Sequence, residues 1–379
     1  MIRLILALVA MPVALVLALP VAILYIPFAL VRWLTEAIAH RIEPKAMPWT
    51  EIVEFKPTIG WMPRPNLDAH YLSRDDDLCH LRTDGHGWAG TRTIAESDVI
   101  VFGDSYAFGY GVDAKDSFFE RRPTPKIKTI GAPGYNMVQE LMLMREYAGA
   151  LRGKLVVWFI CLENDLYDNL IPNKPNYYTT PFVRSVNGTG EWEIVTEHVS
   201  AKRLLLSPEA SPYYPMLAKF CQPGFFSDRA YAACNYLIRE GSALCRRAGS
   251  RLVVLTIPNK YQLTQRGLEL LASYANGGPT IDPDLPDRSI EAICRRWDVP
   301  FIAGKKYLTF SDYKPDDTHW NKQGNTRIAE LLARLYVEHR PGVKDSVRAT
   351  GESPLTAAAG DAVVFTPAGS NGFDRSASS

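Results

Sequence analysis

A glycine-rich turn that contains a serine follows an apolar run in the first third of the chain. The run "DVIVFG", residues 98–103, leads into "GDSYAFGYG", which places Ser105 close behind the apolar residues. Such a turn can bind a phosphate, present a nucleophilic serine, or simply reverse the chain. A phosphate loop would need Gly-x-x-x-x-Gly-Lys-[Ser/Thr] or Gly-x-Gly-x-x-Gly at the start of a helix, and this stretch fits neither pattern. The nucleophilic serine is therefore the favoured interpretation.

Three further polar stretches contain the groups that a nucleophilic serine needs. They are "IGAPGYN" at 130–136, "CLENDLYDN" at 161–169 and "KPDDTHWNKQGN" at 314–325. The first two follow predicted strands, and the third precedes the last predicted helix. Ligands of open parallel sheets bind beyond the carboxyl ends of the strands, so these stretches should meet the serine at one edge.

The last stretch supplies a base for the serine. A serine hydroxyl is a weak nucleophile unless a neighbouring group takes its proton. His319 is the candidate base for Ser105, and Asp316 or Asp317 is the candidate carboxylate that fixes the ring's tautomer and stabilises the imidazolium. The residue types alone leave the choice between the two aspartates open.

The other two stretches supply donors for a developing oxyanion, which must already be in place when charge forms. Three groups suit this role: the backbone N–H of Ser105, the backbone N–H of Gly134 and the side-chain amide of Asn164. Gly134 has no Cβ and lets the backbone approach a substrate closely. Asn164 donates a hydrogen bond without carrying a charge. The four stretches together predict acyl transfer through a serine.

The same four stretches resemble the sequence blocks of the SGNH hydrolases, also called GDSL esterases. "FGDSYAFGYGV" resembles their first block, "GAPGYN" their glycine block, "END" their asparagine block and "DDTH" their Asp-x-x-His block. The order along the chain is also the family's, and the resemblance covers about residues 97–339. The chain is identified as a membrane-anchored bacterial member of this superfamily.

The resemblance implies a role for each matching residue. Ser105 matches the nucleophile, His319 the base, and Asp316, three residues before the histidine, its carboxylate partner. Gly134 and Asn164, with the N–H of Ser105, match the oxyanion hole. The family needs no cofactor and no metal, and none is expected here.

Two positions depart from the family pattern. Leu162 replaces a glycine of the asparagine block, which narrows the space beside Asn164. "DTHW" also resembles the Asp-x-His block of alginate-type acetyltransferases, in which the carboxylate would be Asp317. Because those enzymes place that block before the serine, whereas here it follows the serine, Asp316 is the preferred partner.

The family also implies a fold and a class of reaction. The expected fold is α/β, a flavodoxin-like three-layer α/β/α sandwich with a parallel sheet, preceded by an N-terminal transmembrane segment. The expected activity is that of a serine esterase that removes a small acyl group, acetyl, from a carbohydrate-like substrate. The alternatives are an O-acyltransferase acting on an envelope or extracellular polysaccharide, and a catalytically silent glycan-binding or scaffold protein.

Apolar, β-branched runs alternate with segments of helical periodicity beyond residue 97, which is typical of a parallel sheet covered on both faces. The predicted strands are 98–103, 126–131, 154–161, 250–258 and 299–304. The predicted helices are 136–150, 228–248, 260–275, 287–297 and 321–339.

These patterns divide the chain into segments. Residues 1–45 form a membrane anchor with a juxtamembrane helix, and 46–96 form an irregular lead-in that packs on the main domain. Residues 97–340 form the hydrolase-like domain, in which 166–227 are an insertion over the sheet's carboxyl edge. Residues 341–379 are small, polar and aperiodic, and are predicted to be a disordered tail.

The anchor rests on an uncharged run of 28 residues, Leu4 to Val31, which exceeds the roughly 20 that span a bilayer. Three prolines interrupt the run, so it is either one kinked span or a hairpin. More positive residues follow the run than precede it, which favours a cytoplasmic domain. The family analogy instead favours the bacterial inner membrane with the catalytic domain in the periplasm, and the sequence leaves the side open.

Composition restricts the partners. Lys and Arg number 42 against 41 Asp and Glu, a formal net charge of +1, so no basic field points to nucleic acid. The expected partners are an acylated small-molecule or polysaccharide substrate, the membrane, and membrane proteins of polysaccharide synthesis. The six cysteines include no Cys-x-x-Cys pair, which argues against a zinc site, and their disulfide state stays open.

Overall fold

The computed structural model covers most of the chain between the lead-in and the last predicted helix. Within it, no helix has the length and hydropathy needed to span a bilayer. Most of the predicted anchor, the juxtamembrane helix and the tail at 341–379 lie outside the described residues. The described ranges are 31–32, 44–172, 179–186, 190–200, 213–275 and 280–340.

Short strands dominate the first part of the described chain, and longer buried strands follow. The strands are β1 (Val53–Lys56), β2 (Gly60–Pro63), β3 (Asp68–Leu72), β4 (Leu78–Arg82), β5 (Val99–Gly103), β6 (Ile127–Gly131), β7 (Leu155–Cys161), β8 (Phe182–Ser185), β9 (Trp192–Val195), β10 (Arg251–Ile257) and β11 (Phe301–Ala303).

Helices alternate with the longer strands. They are α1 (Trp49–Ile52), α2 (Ser105–Phe108), α3 (Met137–Glu146), α4 (Asp165–Asp168), α5 (Tyr213–Phe220), α6 (Phe225–Ala248), α7 (Gln265–Ser273), α8 (Leu285–Arg296) and α9 (Lys322–His339). A 3₁₀ turn, Lys260–Leu263, precedes α7.

Five strands form a parallel sheet in the order β11-β10-β7-β5-β6. This is the doubly wound order 2-1-3-4-5 of flavodoxin-like sheets, read from the other edge. Each predicted strand of the main domain is present in the sheet, within three residues of its predicted bounds. Every residue of β5, β6 and β7 is buried, as expected for parallel strands covered on both faces.

Adjacent side chains of β7 show the two covered faces, because successive residues of a strand point in opposite directions. The Trp158 ring lies against α6, where a Cβ on Gly241 would come within 2.7 Å of it. Phe159 points the other way, toward Phe118 and Trp320, with ring centroids at 5.7 and 5.9 Å. Trp320 lies two residues before α9, so the chain that enters this helix covers the face of the sheet opposite α6.

The lead-in is more regular than the predicted irregular segment. It forms two antiparallel hairpins, β1 with β2 and β3 with β4. Its strands have only four or five residues each, and most of these residues are partly exposed. The strands therefore lack the continuous apolar runs of the sheet strands. One contact between the lead-in and the main domain is a hydrogen bond from Trp61 Nε1 to the carbonyl of Pro133, at 3.2 Å.

A buried lysine fastens the lead-in to the sheet. The Lys128 ammonium of β6 lies 2.8 Å from Asp84 Oδ2, and both side chains are at least 95% buried. The same ammonium donates to the carbonyls of Trp88, Ala89 and Gly90 at 3.1–3.3 Å. A buried charge is tolerated only when it is paired and hydrogen-bonded, and these contacts satisfy that condition.

The remaining described parts are smaller features. Within the predicted insertion at 166–227, β8 and β9 form an antiparallel hairpin that lies outside the central sheet. All six cysteines of the chain are free and buried. The disulfide that the sequence left open is therefore absent from this structure.

Two glycines let the ends of β5 and β6 approach each other. Gly103 pairs with Gly131 as the last residue of each strand. A Cβ on Gly131 would lie 2.0 Å from the carbonyl oxygen of Gly103, which real contacts do not allow. One strand end would have to move away from the other if Gly131 carried a side chain.

We expect Gly131→Ala to lower the free energy of unfolding by about 3 kcal/mol, since the obstructing atom belongs to the backbone and overpacked cores lose roughly this much. Gly149→Ala is the matched control, because its Cβ would meet nothing within 4 Å and the position is exposed. Urea unfolding of both variants checks the prediction, and equal stability would contradict it.

Candidate active site

Ser105 lies where the buried strand β5 ends and the short helix α2 begins. Asp104 is the helix N-cap, and its Oδ1 accepts a hydrogen bond from the Tyr106 N–H at 3.0 Å. Gly109 ends the helix at φ +76°, the left-handed region that favours glycine. The Ser105 side chain is held at the sheet's carboxyl edge and is 8% exposed.

His319 joins the serine to a carboxylate by two hydrogen bonds. Its Nε2 lies 2.7 Å from Ser105 Oγ, and its Nδ1 lies 2.8 Å from Asp317 Oδ1. An ionised carboxylate can only accept, so the Nδ1–H donates to Asp317. In the neutral ring Nε2 is then the acceptor for the serine hydroxyl, which is the arrangement that removes the serine proton.

The carboxylate partner is Asp317, and the choice of Asp316 is wrong. Asp316 is exposed, whereas Asp317 is 2% exposed and contacts the ring. The reason is the tightness of the loop: the Lys314 N–H donates to the His319 carbonyl at 2.9 Å. In this closed loop the Asp317 carboxylate, two residues before the histidine, reaches the Nδ1 edge of the ring.

Asp317 is built to remain ionised. Burial on its own would raise the pKa of Asp317, but the hydrogen bond and charge of His319, with the charge of Arg74, hold it well below its ordinary value. Its Oδ1 also accepts the Thr318 N–H at 2.6 Å. The carboxylate can therefore orient the ring and stabilise an imidazolium without taking the proton itself.

Two tyrosines of the serine turn flank the histidine ring. The ring centroids of Tyr106 and Tyr110 lie 5.1 and 4.7 Å from that of His319. The Tyr106 hydroxyl donates to the carbonyl of Thr318. Neither tyrosine is among the residues predicted for the site, although both lie within "GDSYAFGYG", close to Ser105 in sequence.

The predicted oxyanion donors lie at the carboxyl ends of the neighbouring strands. Gly134 follows β6 and has φ +81°, a conformation that favours glycine. Asn164 follows β7, is 8% exposed, and its Nδ2 lies 3.4 Å from the carbonyl oxygen of Tyr135. Asp165 Oδ2 accepts the Cys161 N–H at 2.7 Å and so braces the Asn164 turn.

A second carboxylate, which the sequence analysis did not consider, precedes the asparagine. Glu163 Oε2 accepts a hydrogen bond from Asn259 Nδ2 at 2.7 Å. Burial raises the pKa of Glu163, and the charge of His319 opposes this shift. The turn that follows β7 thus contacts the turn that follows β10.

The lead-in contacts both loops of the site. The Gly111 N–H, in the serine turn, donates to the Tyr71 hydroxyl at 2.8 Å. The Lys314 ammonium, in the histidine loop, lies 2.9 Å from Asp77 Oδ2 and 3.1 Å from Ser73 Oγ. Residues of the β3–β4 hairpin therefore hold the two loops from one side.

The arrangement can carry out nucleophilic attack by a serine oxygen on a carbonyl carbon. Its parts are a histidine whose Nε2 contacts the serine hydroxyl, a buried carboxylate that contacts the histidine Nδ1, and candidate donors on adjacent strand ends. In the part of the chain that the structure describes, no cluster of three or more His, Cys, Asp or Glu side chains is placed to hold a metal ion.

We expect Asp317→Asn to lower kcat on p-nitrophenyl acetate by about 10³–10⁴-fold, because the amide cannot hold the required tautomer or stabilise the imidazolium. The adjacent Asp316→Asn is the matched control and should change kcat by less than about twofold, since Asp316 does not contact the ring. Initial rates over a range of substrate concentrations measure both. Loss of activity in Asp316→Asn with retention in Asp317→Asn would contradict the assignment.

Comparisons with known proteins give matches at the level of structure alone. No protein-family model matches the chain, and no curated protein sequence does. A GDSL-like lipase from Bacteroides thetaiotaomicron is 12% identical, with a TM-score of 0.34, over 66% of this chain and 92% of the lipase. An aryl esterase from M. smegmatis is 11% identical, with a TM-score of 0.38, over 64% of this chain and 99% of the esterase.

A carbohydrate acetylesterase from Sinorhizobium meliloti is also similar, at 11% identity and a TM-score of 0.36, over 64% of this chain and 99% of the esterase. The lipase carries the name of the family that the four sequence blocks resemble. At such identities and TM-scores, the likenesses carry no conclusion about activity or substrate. The chemistry of this chain follows from its own residues.

Proposed function

We propose that this protein is an SGNH-type serine hydrolase that removes a small acyl group, acetyl, from a carbohydrate-like substrate. The observation that carries the proposal is the continuous hydrogen-bonded series from Ser105 through His319 to Asp317. In acyl transfer such a series raises the nucleophilicity of the serine oxygen and moves its proton to the leaving group.

The reaction follows from this geometry. His319 Nε2 takes the Ser105 proton as Oγ attacks the ester carbonyl carbon, and the imidazolium that forms is stabilised by Asp317. The oxyanion is stabilised by the N–H of Ser105, the N–H of Gly134 and the amide of Asn164. The carbon–oxygen bond of the ester then breaks, and His319 returns the proton to the leaving alcohol.

Water completes the cycle in a hydrolase. His319 takes a proton from water as the water oxygen attacks the acyl-serine, and the Ser105 oxygen leaves with that proton. The products are a carboxylic acid and free enzyme. An acceptor hydroxyl in place of water gives acyl transfer by the same steps, so one site supports both outcomes.

The support for a small acyl group on a sugar comes from the family resemblance. Leu162, which stands where the family has glycine, is fully buried two residues before Asn164 and therefore adds no surface to an acyl site. Trp192, an aromatic residue of the insertion, packs against the hydrophobic core and is only partly exposed.

The transferase is the second candidate. The position of Asp317, the carboxylate of the Ser105–His319–Asp317 triad, favours it. The spacing of Asp317 and His319 resembles the Asp-x-His block of alginate-type acetyltransferases, although here the block follows the serine. The acceptor would be a hydroxyl of an envelope or extracellular polysaccharide. Acetyl transfer to an added oligosaccharide, compared with release of free acetate, distinguishes the two activities.

We also propose that the chain is anchored in the bacterial inner membrane through its N-terminal apolar run, with the catalytic domain in the periplasm. Its partners there would be the acylated substrate and membrane proteins of polysaccharide synthesis. The 28-residue uncharged run supports the anchor, and the positive residues that follow it argue for the opposite side. A topology reporter fused after residue 340 tests this, and activity of a cytoplasmic reporter would contradict it.

We expect the full-length protein to hydrolyse p-nitrophenyl acetate and to lose at least about 10³-fold in kcat in Ser105→Ala, because the nucleophile is absent. If the natural acyl group is acetyl, as proposed, the octanoate ester should react far more slowly than the acetate. Acetate release from acetylated xylan and acetylated oligosaccharides then identifies the carbohydrate.

Equal rates in the wild-type and Ser105→Ala proteins would contradict a serine mechanism. A folded wild-type protein with no turnover and no labelling by a fluorophosphonate would instead indicate the catalytically silent glycan-binding or scaffold alternative. The fluorophosphonate reports an activated serine independently of the choice of substrate.

A further inference from the structure

A buried lysine beyond the four sequence blocks contacts the loop that carries the triad carboxylate. Lys260 begins the 3₁₀ turn that follows β10, and it is 3% exposed. Its ammonium donates to three backbone carbonyl oxygens: those of Lys314 at 3.0 Å, Pro315 at 2.6 Å and Asp317 at 2.9 Å. All three N–H donors of the side chain are thus used on one loop.

The three carbonyls need the ammonium to converge. Carbonyl oxygens brought together repel one another unless a donor lies between them, and buried acceptors without partners cost about 1–3 kcal/mol each. A single ammonium satisfies all three at once and adds charge to each hydrogen bond. The loop from 314 to 317 therefore closes around Lys260.

This closure acts on the backbone of the triad carboxylate. The carbonyl of Asp317 binds Lys260, while the carboxylate of the same residue binds His319 Nδ1. The backbone position that Lys260 sets determines where the Asp317 carboxylate meets the ring. Lys260 does not contact His319 or Ser105 itself, so any effect on the serine passes through Asp317.

The turn that holds Lys260 is itself braced. Asn259 caps it, accepting the Tyr261 N–H at 2.8 Å, and the Asn259 N–H binds Gln262 Oε1 at 3.0 Å. Asn259 also donates to Glu163, next to the oxyanion candidate Asn164. The Lys260 turn consequently links the asparagine turn to the histidine loop.

The charges around Lys260 come from several elements. Burial lowers the pKa of Lys260 below its ordinary value. The charges of Asp317 and Asp316 in the histidine loop, Asp75 in the lead-in and Glu163 after β7 oppose this shift. The rings of Tyr261 and Phe310 lie 5.6 and 5.8 Å from the ammonium. Opposite charge and aromatic faces both stabilise a cation at this position.

We propose that Lys260 is a positioning residue for the His319–Asp317 pair. It sets the geometry of the Ser105–His319–Asp317 triad because the backbone carbonyls of the loop bind its ammonium. The proposal rests on the proposed function, because it assigns Lys260 to the same serine mechanism. The alternative is that Lys260 contributes only to stability.

Lys128 is the matched control for that alternative. It too is a buried lysine whose ammonium binds three backbone carbonyls, but it holds the lead-in at Trp88, Ala89 and Gly90 and has no contact with the histidine loop. Lys128→Met should lower the free energy of unfolding while the folded protein retains its kcat. Lys260→Met should lower both.

The experiment uses the full-length protein and the variants Lys260→Met, Lys260→Arg and Lys128→Met, each compared under conditions where urea unfolding shows it to be folded. We expect Lys260→Met to lose about 10²-fold in kcat on p-nitrophenyl acetate with KM within about twofold, the effect of misplacing a catalytic group by roughly 1 Å. Fluorophosphonate labelling of Ser105 should slow by a similar factor.

Lys260→Arg keeps the charge, but its planar donors cannot reach three converging carbonyls in the same way. It should fold and still lose at least about tenfold in kcat, so the proposal can be tested even if Lys260→Met does not fold. Wild-type kcat in either variant, Lys260→Arg or Lys260→Met, when it is folded would overturn the proposal. Parallel losses of kcat in Lys260→Met and Lys128→Met would also overturn it.

A spectroscopic measurement separates this proposal from the proposed function. The proton of the His319 Nδ1–Asp317 hydrogen bond should give a proton NMR resonance far downfield of the amides in the wild-type protein. We expect it to be lost or shifted in Lys260→Met and unchanged in Lys128→Met. An inactive wild-type protein would refute the hydrolase, whereas an unchanged resonance in Lys260→Met would refute the role of Lys260.

Discussion

The parallel pairing of β5 with β6 and β7 is the constraint on which the rest of the site depends. It brings three strand ends to one edge, and the chain beyond each end carries one part of the chemistry. Gly103 and Gly131 allow the first two ends to approach within backbone contact. The histidine loop then reaches the same edge from the far end of the domain, 214 residues after the serine.

Much of the fold was accessible from the sequence because its signals are local. The runs at 98–103, 126–131 and 154–161 are continuous and apolar, and a parallel strand buried on both faces requires that composition. The serine turn and the asparagine turn follow such runs directly, so their place at the sheet edge could be inferred. The lead-in hairpins could not, because an alternation such as that of Val53–Lys56 extends over only four or five residues and is too short to identify a strand.

The errors and omissions at the site have a common cause, which is that backbone groups decide the geometry. Asp316 and Asp317 are chemically identical, and what separates them is the closure of the loop through the Lys314 N–H and the His319 carbonyl. Lys260 was missed because its partners are carbonyl oxygens 54–57 residues further along the chain. Every residue has a carbonyl, so a lysine that binds three of them leaves no signature in a sequence.

The hydrogen bond from Gly111 to Tyr71 and the ion pair between Lys314 and Asp77 have a consequence for the boundary of the functional unit. Both loops of the site contact the β3–β4 hairpin, which precedes the sheet in sequence and adds no residue to the triad. Transplanting residues 97–340 behind a different N-terminal segment would remove the shared support while leaving every chemical group in place. The smallest exchangeable unit of this protein therefore begins within the lead-in, ahead of the first strand of the sheet.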